Sequence, residues 1–248
     1  MNIIVHGCTG RMGSIVTDML ESGYRGHGLA AGVSPECPSG LVPRRCVYLD
    51  EFDGSADCVV DFSHHSATAE LTGYCVRRKL PLVVATTGQT EGELGLIRAA
   101  AEKIPLFHSA NMSVGVALLA RLARQAAAMF PDADIEIVEK HHNQKLDVPS
   151  GTALLLANSI RQIRPEAEFL IGRHQNGLRT KNEIGIHSLR YGGEVGTHEI
   201  IVSTGTQTIT LKHEAESRSL FAEGAIAAAE FLAGKTAGYY TMAELVGE

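Results

Sequence analysis

The chain contains no tryptophan, and aromatic residues make up only 5% of it. Aromatic platforms for stacking single-stranded bases are therefore not expected. A basic surplus is missing as well: 22 Lys and Arg stand against 28 Asp and Glu, a formal net charge of −6. That balance argues against nucleic acid as a partner, because its binders carry a basic surface. No run approaches the ~18 consecutive apolar residues of a membrane span, so no membrane partner is expected. The opening Met1-Asn2-Ile3-Ile4-Val5 has neither a basic segment nor a cleavage site, so no signal peptide is expected. Cysteine is sparse and odd in number (Cys8, Cys37, Cys46, Cys58, Cys75), with no CxxC. This suits reduced thiols in the cytoplasm, and no disulfide frame or metal site is expected.

What is present is apolar residue and glycine. The 248 residues are 44% hydrophobic and include 26 glycines, enough for one large or two modest domains with many tight turns. Residues 2–6 read as a buried strand, followed by a glycine-rich turn. Met12, Ile15, Val16, Met19 and Leu20 then fall at helical spacing. Strands are expected at 28–33, 58–62, 82–85 and 105–108, with helices at 67–79 and 91–103. Pro35, Pro38, Gly40 and Pro43 mark a loop. This β-α-β alternation predicts a Rossmann-type, doubly wound parallel sheet in an α/β fold.

After about residue 111 the rhythm changes. A long apolar helix at 114–129 precedes a strand at 135–139, a polar loop at 140–149 and a helix at 151–163. Strands at 184–189, 198–203 and 207–213 follow without intervening helices, which predicts a second α+β domain with a mostly antiparallel sheet. The expected division is a nucleotide domain over 1–111 and a second domain over 112–215. An alanine-rich helix at 219–232 closes the chain.

The turn Gly7-Cys8-Thr9-Gly10-Arg11-Met12-Gly13 follows a strand and opens a helix, the context a dinucleotide site needs. Gly7 permits the tight turn, Gly10 lets a pyrophosphate approach the backbone, and Gly13 allows close helix–sheet packing. The spacing is G-x-x-G-x-x-G rather than the usual G-x-G-x-x-G, and a glycine-rich βα turn without ligand is the plain alternative. Ribose selection is expected just after the second strand, where Ser34 is placed as the ribose-facing side chain. A serine does not repel a 2′-phosphate, which leans towards NADPH, with Arg11, Arg44 or Arg45 adding charge. The alternative is that Glu36 supplies the acid typical of NADH sites.

The second informative stretch runs from Glu139 to Ala153. His141, His142 and Lys145 precede a helix start, with Ser150 as the expected N-cap. The N–H groups of Gly151 and Thr152 would then face a carboxylate. Two proton carriers, a cation and an anion cradle suit a small acidic substrate that must also receive a proton. An exposed histidine pair with no role, and a serine that only caps, are the bland alternatives.

Taken together, these residues resemble the 4-hydroxy-tetrahydrodipicolinate reductase (dihydrodipicolinate reductase) family. The similarity is carried by the glycine turn, by Asp61-Phe62-Ser63, by Ala85-Thr86-Thr87-Gly88 and by Ser109-Ala110-Asn111-Met112-Ser113-Val114-Gly115. Glu139-x-His141-His142-x-x-Lys145-x-Asp147-x-Pro149-Ser150-Gly151-Thr152-Ala153 and the later Arg190, Gly192, Val195, Gly196 and His198 complete it. Alanine replaces the first glycine of the family's GTTG, and Met112 replaces a phenylalanine.

The resemblance implies NADPH- or NADH-dependent reduction of 4-hydroxy-tetrahydrodipicolinate in lysine and diaminopimelate biosynthesis. A hydride goes to C4, a proton to C3, and water is lost. It implies His141 and Lys145 as catalytic residues and His142, Gly151, Thr152 and Arg190 as substrate-binding ones. The cofactor residues it implies are Gly7, Cys8, Thr9, Gly10, Arg11, Met12, Ser34, Ala85, Thr86, Thr87, Ser109, Ala110, Asn111 and Met112. It also implies a homotetramer, and a nucleotide domain completed by residues 216–248.

Two other readings stay open at this level. Another two-domain NAD(P)-dependent oxidoreductase, such as a semialdehyde dehydrogenase, needs a cysteine nucleophile in the second domain, yet every cysteine precedes residue 76. A non-catalytic dinucleotide sensor needs the glycine turn but has no use for His141, His142 and Lys145 beside a helix start.

Overall fold

The computed structural model describes residues 1–37 and 45–247. Pro38, Gly40, Pro43 and Arg44 lie outside the described residues. The chain divides into two compact units, Met1–Val114 with Ser219–Glu248, and Gly115–Arg218.

The first unit is built on a seven-stranded sheet. Its strands are β1 (Asn2–His6), β2 (Gly28–Val33), β3 (Arg45–Cys46), β4 (Cys58–Asp61), β5 (Leu82–Val84), β6 (Pro105–His108) and β12 (Gly238–Tyr240), in the order β12-β6-β5-β4-β1-β2-β3. Every pairing is parallel. Strands buried on both faces read as continuous apolar runs, as Ile3-Ile4-Val5 and Val59-Val60 do. The crossovers are α1 (Arg11–Glu21), α2 (Thr68–Arg78) and α3 (Glu91–Ala101). Val16 and Leu20 are the buried face of α1, and a reciprocal Thr90–Glu93 capping box starts α3. The order reverses at β1, with β2 on one side and β4 on the other, so the strand ends there form the crevice where open α/β sheets bind ligands.

In the second unit, α4 (Val114–Met129) and α5 (Gly151–Ile163) pack on a five-stranded sheet. Its order is β11 (Thr208–Ala215), β10 (Gly196–Ser203), β7 (Asp134–His141), β9 (Glu183–Arg190), β8 (Glu168–Ile171). Small residues on the helices (Ala120, Ala123, Ala127, Ala153, Ala157) let them approach Ile135, Ile137, Ile184, Ile186, Ile200 and Val202. The antiparallel expectation holds for the two pairings of β10. The sheet is nonetheless mixed, because β7 with β9 and β8 with β9 are parallel. After β7 the chain returns through α5, and after β8 through residues 172–182, so all three strands run the same way. Strand β7 also extends through His141, placing Lys140 and His141 on a strand rather than in the expected loop.

The last segment returns to the first unit. Helix α6 (Ser219–Leu232) is alanine-rich and packs on α1, β4, β5 and β6, β12 extends the sheet edge beside β6, and α7 (Met242–Leu245) ends the chain.

Candidate active site

At the nucleotide turn, Gly7 takes φ +81°, and a Cβ there would lie 2.6 Å from Phe62 O. A Cβ on Gly13 would collide with Gly7 O. Gly10 caps α1 with no side-chain hydrogen bond, so the first-turn N–H groups have no side-chain cap from that position. Beneath the turn, buried Asp61 receives Ser63 N at 3.2 Å and Ser63 Oγ at 2.6 Å and pairs with His6 Nδ1 at 2.8 Å. On the neighbouring loop, Ala85 and Thr86 are buried, and Thr86 Oγ1 has no hydrogen-bond partner among the described residues. Ser109 Oγ donates to Asn111 O at 2.7 Å, and Ser113 N donates to Asn111 Oδ1 at 2.9 Å. A glycine turn open at a helix start and an orphaned hydroxyl on the adjoining loop fit a dinucleotide.

Ser34 departs from its expected place. It is buried, and its hydroxyl is shared between Thr9 Oγ1 at 2.6 Å and the Glu36 carboxylate. Glu36 is exposed above it and also accepts from Thr9 Oγ1 at 2.9 Å. These hydroxyls, Ser34 first, hold the Glu36 carboxyl below its usual range. The acid therefore occupies the exposed position after β2, and the serine is its support.

In the second unit the period-two pleat explains the site. Ile135, Ile137, Glu139 and His141 share the buried face of β7, so two polar side chains continue the line of the core. Register puts Glu139 opposite His198 on β10 and His141 opposite Arg190 on β9. Glu139 has no exposed surface. Its carboxylate faces His141 Nδ1 at 2.5 Å and accepts from Arg190 Nη1 at 2.8 Å, Arg190 Nη2 at 2.7 Å and Ser150 N at 3.2 Å. Burial alone would raise the Glu139 carboxyl, but His141, Arg190, Ser188 and Ser150 outweigh it and hold it well below the usual range.

Ser150 caps α5 by accepting Ala153 N at 3.1 Å and contacts His198 Nε2 at 3.2 Å. Burial, with His141 nearby, pushes His198 down to about 3, which keeps it neutral. Lys145 Nζ pairs with Asp147 at 2.8 Å. Lys145 first, and the Gly151 N–H among the lesser causes, keep the Asp147 carboxyl low. A carboxylate of the chain itself thus lies against both the cation and the helix start. A Cβ on Gly151 would meet nothing within 4 Å, so there is free space beside that helix start.

The structure gathers His141, Lys145, Ser150 and Gly151 on one stretch from β7 into α5, with His142 held by its N–H to Glu194 O at 2.8 Å. Arg190 is differently employed from the carboxylate contact expected of it. All four Nη hydrogens are committed, two to Glu139 and the others to Leu189 O and Asp147 O, each at 2.8 Å. Among the described residues, no three His, Cys, Asp or Glu side chains are grouped as metal ligands. Sequence reasoning missed Gly224 on α6, where a Cβ would strike Met112 O. Its glycine in an alanine-rich helix was the available signal. It also gave no role to Glu139, whose charge among β7's isoleucines was the clue.

A family model described as "Dihydrodipicolinate reductase, N-terminus" matches residues 1–112, and its C-terminal counterpart matches 115–246. A 4-hydroxy-tetrahydrodipicolinate reductase of Caldanaerobacter subterraneus is 44% identical, covering 99% of this chain and 98% of that protein. The corresponding protein of Clostridium tetani is 43% identical, with 98% and 95% covered. The solved structure of a dipicolinate-bound dihydrodipicolinate reductase from Paenisporosarcina sp. TG-14 superposes with a TM-score of 0.81 at 25% identity, covering 97% of both chains. With both family models matched in order and these relatives similar from end to end, the chain belongs to the dihydrodipicolinate reductase family.

Proposed function

We propose that this chain catalyses the NAD(P)H-dependent reduction of 4-hydroxy-tetrahydrodipicolinate to tetrahydrodipicolinate in lysine and diaminopimelate biosynthesis, with His141 and Lys145 handling the proton. The observation that carries the site-level reading is the single run from β7 into α5. It carries an imidazole bonded to Glu139, an ammonium paired with an exchangeable carboxylate, and a helix start beside that same carboxylate. Loss of the 4-hydroxyl as water gives the conjugated dihydro ring, to whose C4 a bound nicotinamide would supply the hydride.

Negative charge develops on the ring as hydride arrives, and Lys145 Nζ stabilises it and donates the proton at C3. His141 is the second proton carrier through Nε2. The substrate is a dianion and the chain carries −6 overall, so local cations and N–H dipoles must concentrate it. A substrate carboxylate replaces Asp147 against Lys145 and the Gly151 N–H, and His142 and Thr152 line its path. Lys145, rather than Arg190, whose Nη groups are bonded within the chain, is the cation that meets it.

Residues 1–114 with 219–248 serve as the dinucleotide-binding domain. Gly7 to Met12 hold the pyrophosphate, Glu36 accepts from the adenosine ribose hydroxyls, and Ala85 to Thr87 and Ser109 to Met112 hold the nicotinamide half. Residues 115–218 serve for substrate and for assembly into a cytoplasmic homotetramer. The sheet face turned away from α4 and α5 supports the assembly, because it carries half-buried Val138 and Ile201 and exposed Leu189.

The deciding assay supplies enzymatically generated substrate with NADH or NADPH and follows loss of reduced-nicotinamide absorbance. Substrate-dependent oxidation is expected. Binding of the dinucleotide without oxidation of either form would overturn the reading in favour of a sensor.

A further inference from the structure

Glu139 sits on the isoleucine face of β7, where a carboxylate is expensive to bury unless each lone pair is met. Four N–H donors meet it: His141 Nδ1 and Arg190 Nη1 at Oε2, and Arg190 Nη2 and Ser150 N at Oε1. An ionised carboxylate only accepts, so the His141 proton in this bond must sit on Nδ1. The imidazole's other nitrogen, Nε2, is then the one with a lone pair to exchange.

We infer that Glu139 is the positioning residue of the reaction, holding His141 as the Nδ1–H tautomer and tying that imidazole to the α5 helix start through Ser150 N. Arg190 supplies the charge that keeps the carboxylate ionised beside an imidazole that gains and loses a proton. Its bond to Asp147 O, at 2.8 Å, joins the Lys145–Asp147 segment to the same centre. The inference rests on His141 being the proton carrier proposed above. The rival account is that Glu139 only neutralises Arg190, which would affect stability and not turnover in particular.

The amide of Glu139→Gln would put its NH₂ against donors on whichever side it faced. The test therefore combines this variant with Glu139→Asp, His141→Asn, the Glu139→Gln/His141→Asn double variant and nitrogen NMR of the wild-type imidazoles. Thermal melting verifies that each variant is folded. The wild-type His141 is expected to show a protonated Nδ1 and an unprotonated Nε2 when neutral. The opposite tautomer overturns the inference without reference to activity.

In steady state, Glu139→Gln is expected to lower kcat by about 10- to 100-fold, part of the usual range for proton-transfer groups. The KM values for substrate and cofactor should stay within roughly threefold, and Glu139→Asp should recover part of kcat. The double variant should lose no more than His141→Asn alone, because both changes act through one imidazole. Unchanged kcat in Glu139→Gln, or additive losses, would reduce Glu139 to a structural partner of Arg190. Full turnover in His141→Asn would instead remove the proton carrier itself, while the NMR result still reports the tautomer. Should Glu139→Gln fail to fold, the NMR measurement decides by itself: the Nε2–H tautomer in the wild type is the overturning result, and the Nδ1–H tautomer upholds the inference.

Discussion

Lys145 is the proposed proton donor, and its pairing with Asp147 at 2.8 Å is an exchangeable one because Asp147 is more than half exposed. Lys145→Ala should lower kcat by about 10²- to 10⁴-fold, the range for losing a positioned proton donor. The dissociation constant for NADH, measured by fluorescence titration, should stay within about twofold. Near-normal kcat would remove the lysine from the mechanism. The second residue-scale expectation concerns Glu36. Its charge should favour ribose hydroxyls and repel a 2′-phosphate, so the wild type should use NADH at least as well as NADPH. Charged hydrogen bonds contribute roughly 1.5–3 kcal/mol, so Glu36→Ser should move the kcat/KM ratio towards NADPH by about tenfold or more. A wild-type preference for NADPH that this substitution leaves alone would return the choice to the arginines of the turn.

At the scale of elements, the run from β7 into α5 works because a strand end and a helix start are joined by nine residues that carry their own hydrogen bonds. These include Lys145 N to His142 O at 3.2 Å and the Ser150 cap. Gly151→Val tests whether that helix start holds an anion. A Cβ there has open space, so the fold should tolerate the change, while the branched side chain covers the first-turn N–H groups. The substrate KM should rise by about tenfold or more, the loss of a charge-assisted bond of roughly 1.5–3 kcal/mol. Pyridine-2,6-dicarboxylate should compete with substrate in the wild type and inhibit the variant poorly, with NADH binding unaltered. Unaffected inhibition in the folded variant would make the helix start a cap and nothing more.

For the whole molecule, His198 links the site to acid stability. Its folded value of about 3 lies below the ordinary 6.5, so the unfolded chain takes up the proton first. Its contribution is complete above 6.5 and is lost as pH falls from there towards 3. Urea midpoints should show His198→Gln less stable than the wild type at neutral pH, with the gap narrowing by pH 4.5. A gap that widened on acidification would contradict the buried neutral imidazole. The second expectation concerns assembly. Light scattering on the eluted protein should give four times the 26.5 kDa chain mass, and Ile201→Asp, on the sheet face away from the helices, should yield a smaller species. A monomeric wild type would dismiss the tetramer.

Much of this was readable from the chain alone because hydrophobic periodicity and turn chemistry are local. Ile3-Ile4-Val5 before a glycine turn, and the β-α-β rhythm after it, are properties of neighbouring residues, and the parallel sheet followed from them. The Glu139–Ala153 stretch was likewise recognisable as a unit. What only the tertiary structure decided depends on which strand lies beside which. Arg190 was expected to meet the substrate, but its partner Glu139 lies 51 residues away and is brought close by the parallel register of β7 and β9. Ser34 and Glu36 were both candidates in sequence, and only the fold buries the serine beneath the exposed acid. Gly224 is unremarked in an alanine-rich helix until Met112 O is found where its Cβ would be. Periodicity tells a residue which face it occupies, but the partner across that face is set by chain closure over long separations, which no local pattern encodes.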